Sequence, residues 1–167
     1  MTGSCLNFSH VTFWVSNAKQ AASYYMAFMG FEPLAYKGLE TGSREVAAHA
    51  VRQKNIVFLF VSPLSPHNHE FGTRLQCHGD FVKDIAFTVD DLDALISRSQ
   101  EAGATLVRIW QEADADGVVK MATIATELGD ITHTYVDRKS YNGPFLPGFG
   151  APRIQRSVDK GLTPPDL

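Results

Sequence analysis

Six histidines, two cysteines and a scatter of carboxylates are the side chains with which this 167-residue chain could do chemistry. The densest group is His67-Asn68-His69-Glu70, with His78 close behind. A His-x-His pair beside a Glu has donor types that suit zinc. It lies, however, in a polar stretch from Ser62 to about Asp80 that contains Pro63, Pro66 and Gly72, which reads as a solvated loop that would organise ligands poorly. His133 precedes Tyr135 by two residues, so on a strand both point to one side. His49, inside the strand candidate Arg44 to Arg52, has no partner that the sequence names. No Gly-x-Ser-x-Gly elbow supports nucleophilic hydrolysis, and no Gly-x-Gly-x-x-Gly supports dinucleotide binding. Asp90, Asp91 and Asp93 are explained by helix capping and compensation of the helix dipole. Cys5 and Cys77 read as two free thiols in a reducing compartment, with the cytoplasm as the default address.

The elements that must position these groups can be read in order. Phe8 to Val15 is rich in β-branched and aromatic residues and predicts a strand. Ser16-Asn17 supplies an N-cap, and Ala21, Ala22, Tyr25 and Phe28 recur at helical spacing over Ala18 to Met29, which Gly30 ends. Phe31 to Tyr36 is extended, Gly38 to Ser43 turns, and Arg44 to Arg52 alternates. Ile56 to Val61 is apolar throughout and must be buried on both faces. After the polar loop the pattern starts again. Val82 to Val89 is a strand, and Asp90-Asp91 caps a helix carrying Leu92, Leu95 and Ile96, ended by Gly103. Strands follow over Thr105 to Trp110, Val118 to Thr126 and Ile131 to Val136. A Gly/Pro-punctuated tail, Ser140 to Phe149, then ends the sheet.

The two halves superimpose. His10 to Asn17 matches Asp84 to Asp91 at an offset of 74, Gly30 matches Gly103 at 73, and Ile56 to Val61 matches Ile131 to Val136 at 75. Three features agreeing this closely argue for a duplicated unit, each copy too small to cover its own sheet. The expected architecture is α+β: two tandem βαβββ modules whose curved mixed sheets surround a central cup.

Composition sets the outer limits. The length suits one domain, and 44% apolar with 20% charged residues is ordinary for a globular protein. The net charge of −3 is spread without basic blocks beyond pairs such as Arg138-Lys139, which argues against nucleic acid. No apolar run reaches the roughly 18 residues of a membrane span, and Met1 to Asn7 lacks the pattern of a secretory signal.

Paired βαβββ modules resemble the vicinal oxygen chelate superfamily of glyoxalases, extradiol dioxygenases and bleomycin-resistance proteins. More specific are His10 to Ala22, Met29 to Tyr36, Gly38 to Glu45, His78-Gly79-Asp80 with Val82 to Phe87, and Tyr141 to Phe149. Together and in order these resemble the N-terminal half of the 4-hydroxyphenylpyruvate dioxygenases, along nearly the whole chain. The resemblance implies an iron(II) enzyme of tyrosine and phenylalanine catabolism that converts 4-hydroxyphenylpyruvate and O2 to homogentisate and CO2. In that family two His and one Glu of the second half hold the iron. On this reading residues 1–150 are one vicinal oxygen chelate domain, with module one at about 8–61, module two at about 82–137 and a tail at 138–150. Residues 151–167 are then a linker to a C-terminal catalytic domain, and the chain alone is inactive, with no catalytic or cofactor-binding residue of its own.

In metal-binding members of the superfamily the cup ligands come from the first and last strands of each module. By the internal repeat those positions here are His10, Phe60, Asp84 and Tyr135, with His133 beside Tyr135. A His10/Asp84/His133 set would form the facial triad suited to non-haem iron. The alternative is that these groups hydrogen-bond one another across a filled cup, since buried polar atoms seldom go unpaired. Three functions therefore stand: a structural half that packs on a catalytic domain and joins a homo-oligomer, a stand-alone module holding a small aromatic or keto acid, and a small metalloenzyme of the glyoxalase or extradiol type. The tail aromatics Tyr141, Phe145 and Phe149 suit an exposed docking contact or could fold back on their own sheet.

Overall fold

The computed structural model describes residues 3–154. The first module comprises β1 (Cys5–Trp14), α1 (Ala18–Met29), β2 (Glu32–Lys37), β3 (Val46–Gln53) and β4 (Ile56–Pro63). After α2 (His69–His78), the second comprises β5 (Phe81–Val89), α3 (Leu92–Glu101), β6 (Leu106–Asp114), β7 (Gly117–Ala125) and β8 (Thr132–Tyr141). The strands form one mixed sheet in the order β2-β3-β4-β1-β5-β8-β7-β6. Within each module the first and last strands run parallel, and β1 pairs antiparallel with β5 to join the copies.

The duplication is visible in the register. Val11 pairs with Phe58 in module one and Ile85 with His133 in module two, so the same offsets that align the sequences align the ladders. The helices begin where the caps require. The Asn17 side chain accepts from the Gln20 N–H at 3.0 Å, and that of Asp91 from the Ala94 N–H at 3.1 Å, satisfying donors that a helix start leaves free. Gly30 ends α1 with φ 74°, a left-handed conformation that a Cβ would disfavour.

One face of the sheet packs on α1 and α3. Ala18, Ala22 and Met26 recur every fourth residue and lie against Val51 and Phe60. Around them Phe13, Tyr25, Phe31 and Phe58 form an aromatic cluster whose neighbouring rings stack about 5 Å apart. Each such pair adds about 0.5–1.5 kcal/mol to the burial itself. The corresponding cluster of module two holds Leu92, Leu95 and Ile96 against Val89 and Ala122. The other face is concave. Ala35, Ala48, Ala50 and Ala86 keep its floor low, and it forms the cup.

Two expectations need correction. The stretch between the modules is not loop throughout: residues 69–78 form α2. Asn68 caps it by accepting from the Phe71 N–H at 3.2 Å, and Phe71, 2% exposed, stacks on Trp14 at 4.1 Å. Of the two placements open to the tail aromatics, the structure takes the fold back onto their own sheet. β8 runs on to Tyr141, beyond the strand end expected near residue 136, and Tyr141, Phe145 and Leu146 are buried in the cup. Phe149 packs partly against the same cluster. Gly150 then exchanges two backbone hydrogen bonds with Tyr36 and covers the free edge of β2. Burying two rings and Leu146, with Phe149 partly covered, offsets the entropy of ordering this Gly/Pro-rich segment. No helix among the described residues is long and apolar enough to cross a membrane.

Candidate functional site

Alternation along the central strands decides which side chains meet in the cup. From module one it receives His10, Thr12 and Trp14 of β1, and Leu59 and Val61 of β4. From module two it receives Asp84 of β5, Thr132, Thr134 and Val136 of β8, and Thr123 of β7. With the ends of α2 and the tail inserted, about 420 Å³ remains open.

The polar centre of the cup is a hydrogen-bonded row. Asp84 Oδ1 accepts from Thr132 Oγ1 at 2.6 Å and from Thr134 Oγ1 at 2.9 Å. Thr134 Oγ1 also lies 2.7 Å from Thr123 Oγ1, so the row crosses three strands. Burial raises the Asp84 carboxyl above its ordinary value, and the two threonine hydroxyls only partly oppose this. His10 is 6% exposed. Its Nδ1 lies 3.0 Å from Ser9 Oγ, and its ring meets Phe145 edge-on at 5.2 Å. Burial, reinforced by Arg138, lowers its pKa to about 4. Above this row Lys83 Nζ sits 5.1 Å over the Trp14 ring and donates to the Asp130 carbonyl at 3.1 Å.

Of the four cup candidates, His10 and Asp84 do face the cup. His133 and Tyr135 do not. Asp84 is level with Thr132, so the odd-numbered residues of β8 turn to the helix-covered face. There Tyr135 Oη lies 2.9 Å from Ser99 Oγ of α3, and His133 meets Phe87 edge-on at 5.4 Å. Phe60 is on the same face, packed under α1. The His10/Asp84/His133 triad is therefore not assembled. Nor does the His67/His69 cluster close on an ion: among the described residues no three His, Cys, Asp or Glu side chains converge. His78 instead shares Asp130 with Arg74, its Nε2 lying 2.8 Å from Asp130 Oδ2. His49, on β3, lies tilted against the Tyr36 ring at 4.9 Å, and Tyr36 donates to Glu40 at 2.7 Å. A metal site needs three or four convergent donors. His10, Glu70, Asp84 and Glu112 line the cup, but among the described residues no three of them converge and Asp84 is already taken by threonines, so the cup does not fit a metal.

What sequence reasoning missed is the threonine row. The signal was present as the alternation Thr132-x-Thr134, whose spacing matches Asp84 across a parallel pair once the register is known.

A double-module sheet of this topology around a cup is the hallmark of one superfamily. Residues 9–122 match the family model described as the glyoxalase/bleomycin resistance protein/dioxygenase superfamily, and the chain belongs to that superfamily. Within it the chain is 55% identical to a 4-hydroxyphenylpyruvate dioxygenase of Caenorhabditis elegans over 161 residues, 96% of this chain and 41% of the relative. It is 55% identical to one of Danio rerio over 90% of this chain and 38% of the relative. The chain thus spans about two fifths of the length of the curated relatives it matches. Among solved structures, a mutant 4-hydroxymandelate synthase from Streptomyces coelicolor superposes with a TM-score of 0.77 at 23% identity, covering 89% of this chain and 42% of that one. Methylmalonyl-CoA epimerase from Mycobacterium tuberculosis superposes at 0.65 and 17% identity, over 80% of this chain and 88% of that one. At these identities the likeness is one of fold.

Proposed function

We propose that this chain is the N-terminal half of an iron(II)-dependent 4-hydroxyphenylpyruvate dioxygenase, and that this half is structural. The observation that carries the reading is a contrast. Identity of 55% extends over 96% of the chain yet reaches only 41% of the relative, while among the described residues no three ligand side chains converge as an iron site requires. The remaining length of such a polypeptide would supply the iron ligands. The role of this half is to present a shell on which the catalytic domain packs and through which subunits assemble.

The test compares this chain with a polypeptide extended by the C-terminal half of the worm relative. The extended protein is expected to convert 4-hydroxyphenylpyruvate to homogentisate with iron present, and this chain to show no turnover. An extended protein that takes up iron but leaves 4-hydroxyphenylpyruvate untouched would overturn the reading.

A further inference from the structure

We propose that a second cavity, at the strand ends beyond His10, is a binding site for a small apolar monocarboxylate. β1 and β4 start at this end of the sheet, and β5 and β8 finish there. The space they enclose is about 840 Å³, within the roughly 300–1,000 Å³ usual for small-molecule sites and twice that left in the cup. Its wall is formed by Phe8, Val11, Ile56 and Val57. Phe8 is 67% exposed and Ile56 51%, so two large apolar side chains stand in water beside the opening. A ligand with an apolar body would cover them.

The charge in the cavity selects the head group. Arg138 is its one charged lining residue; the other polar residues, among them Asn7, Asn55 and Thr88, carry no charge. Arg138 Nη2 donates to the Gly143 carbonyl at 3.0 Å, and no carboxylate lies within ion-pair distance of it among the described residues. The guanidinium also lies 5.6 Å from the centre of the Tyr141 ring; it is half-buried with a π face and a carbonyl beside it but no counter-ion, and burying charge is costly unless it is paired. Its remaining N–H donors form the fork that a carboxylate accepts in bidentate fashion. His10 forms the partition between this cavity and the cup, lining both, and Phe145 seals its other side. The site is distinct from the Asp84 threonine row.

The test is an NMR titration of this chain, 15N-labelled, with 3-phenylpropionate, octanoate and the uncharged 3-phenylpropionamide. Either carboxylate is expected to give saturable shifts at residues 7–11, 55–57, 88 and 138–143, with the tighter of the two naming the ligand's body. The amide is expected to bind at least about tenfold more weakly, the loss of one charge-assisted pair. Arg138→Gln should weaken the carboxylate by a similar factor. Because Arg138 also holds Gly143, a second variant, Asn55→Asp, places an acid at the exposed rim without touching that contact, and should weaken the carboxylate too. Equal affinity for acid and amide, shifts centred on Trp14 and Thr134, the absence of saturation at millimolar ligand, or indifference to both substitutions would each overturn the proposal.

Discussion

His10 is neutral in the folded protein at ordinary pH, because burial and the nearby Arg138 hold its pKa near 4. Unfolded, it titrates near 6.5. Between those values the unfolded chain binds a proton that the folded one refuses, so stability is complete above about pH 6.5 and falls as the pH drops towards 4. The full shift corresponds to about 3 kcal/mol. His49, lowered to about 4 by burial with Lys19 adding to it, acts in the same window. Denaturant unfolding at pH 7 and pH 4.5 should show His10→Gln losing markedly less stability on acidification than the parent; equal losses would contradict the assignment. Asp84 behaves in the opposite sense. Its raised pKa means that burial opposes its charge more than two hydroxyls favour it. Asp84→Asn keeps an oxygen that accepts from Thr132 and Thr134 and removes the charge, so the thermal midpoint at pH 7 should hold or rise. A clear fall would show that the carboxylate is needed for a purpose the hydrogen bonds do not reveal. The same residues show why the site was half legible. The repeat correctly placed Phe60 opposite Tyr135, since Phe13 pairs with Phe60 as Phe87 pairs with Tyr135. It did not say which face these occupy. Val57 to Val61 is apolar on both faces, and Thr132 to Val136 alternates threonine with residues equally suited to burial. Periodicity alone therefore cannot choose the cup side.

At the scale of elements, caps and glycines made α1 and α3 readable, because Asn17, Gly30 and Asp91 sit where a helix must start or stop. α2 was not readable. It carries one apolar pair, Phe71 and Leu75, with Gly72 inside it, too little periodicity to outweigh prolines and polar residues. Tertiary contact makes this helix: Phe71 stacks on Trp14, and Arg74 and His78 both hold Asp130 in the β7–β8 turn. Phe71→Ala should cost about 3–5 kcal/mol and release α2 first, seen as faster amide exchange at residues 69–78 than elsewhere. A loss spread evenly over the sheet would contradict this local role. The Asp130 clamp adds a pH signature. The hydrogen bond from His78, with Arg74 beside it, lowers the Asp130 carboxyl below its usual range. The stabilisation it gives is therefore present above the ordinary carboxylate pKa and lost as pH falls through the lowered value. Exchange in α2 should quicken there in the parent and be already quick at neutral pH in Asp130→Asn.

As a whole the molecule is two copies of one module that diverged in what they carry inward. The first turns Val57, Leu59 and Val61 to the cup, and the second turns Thr132, Thr134 and Val136. Neither copy supplies the pair of ligands that a metal between the modules would need. The tail then packs into part of the concavity and ties module two back to β2 through Gly150. On the proposed reading this half acts as a scaffold, and the chemistry is supplied by another domain. Iron(II) titration of this chain alone, followed by metal analysis after gel filtration, tests that claim most directly. The account predicts no stoichiometric iron. One iron per chain, lost in His10→Ala or Asp84→Ala, would contradict it.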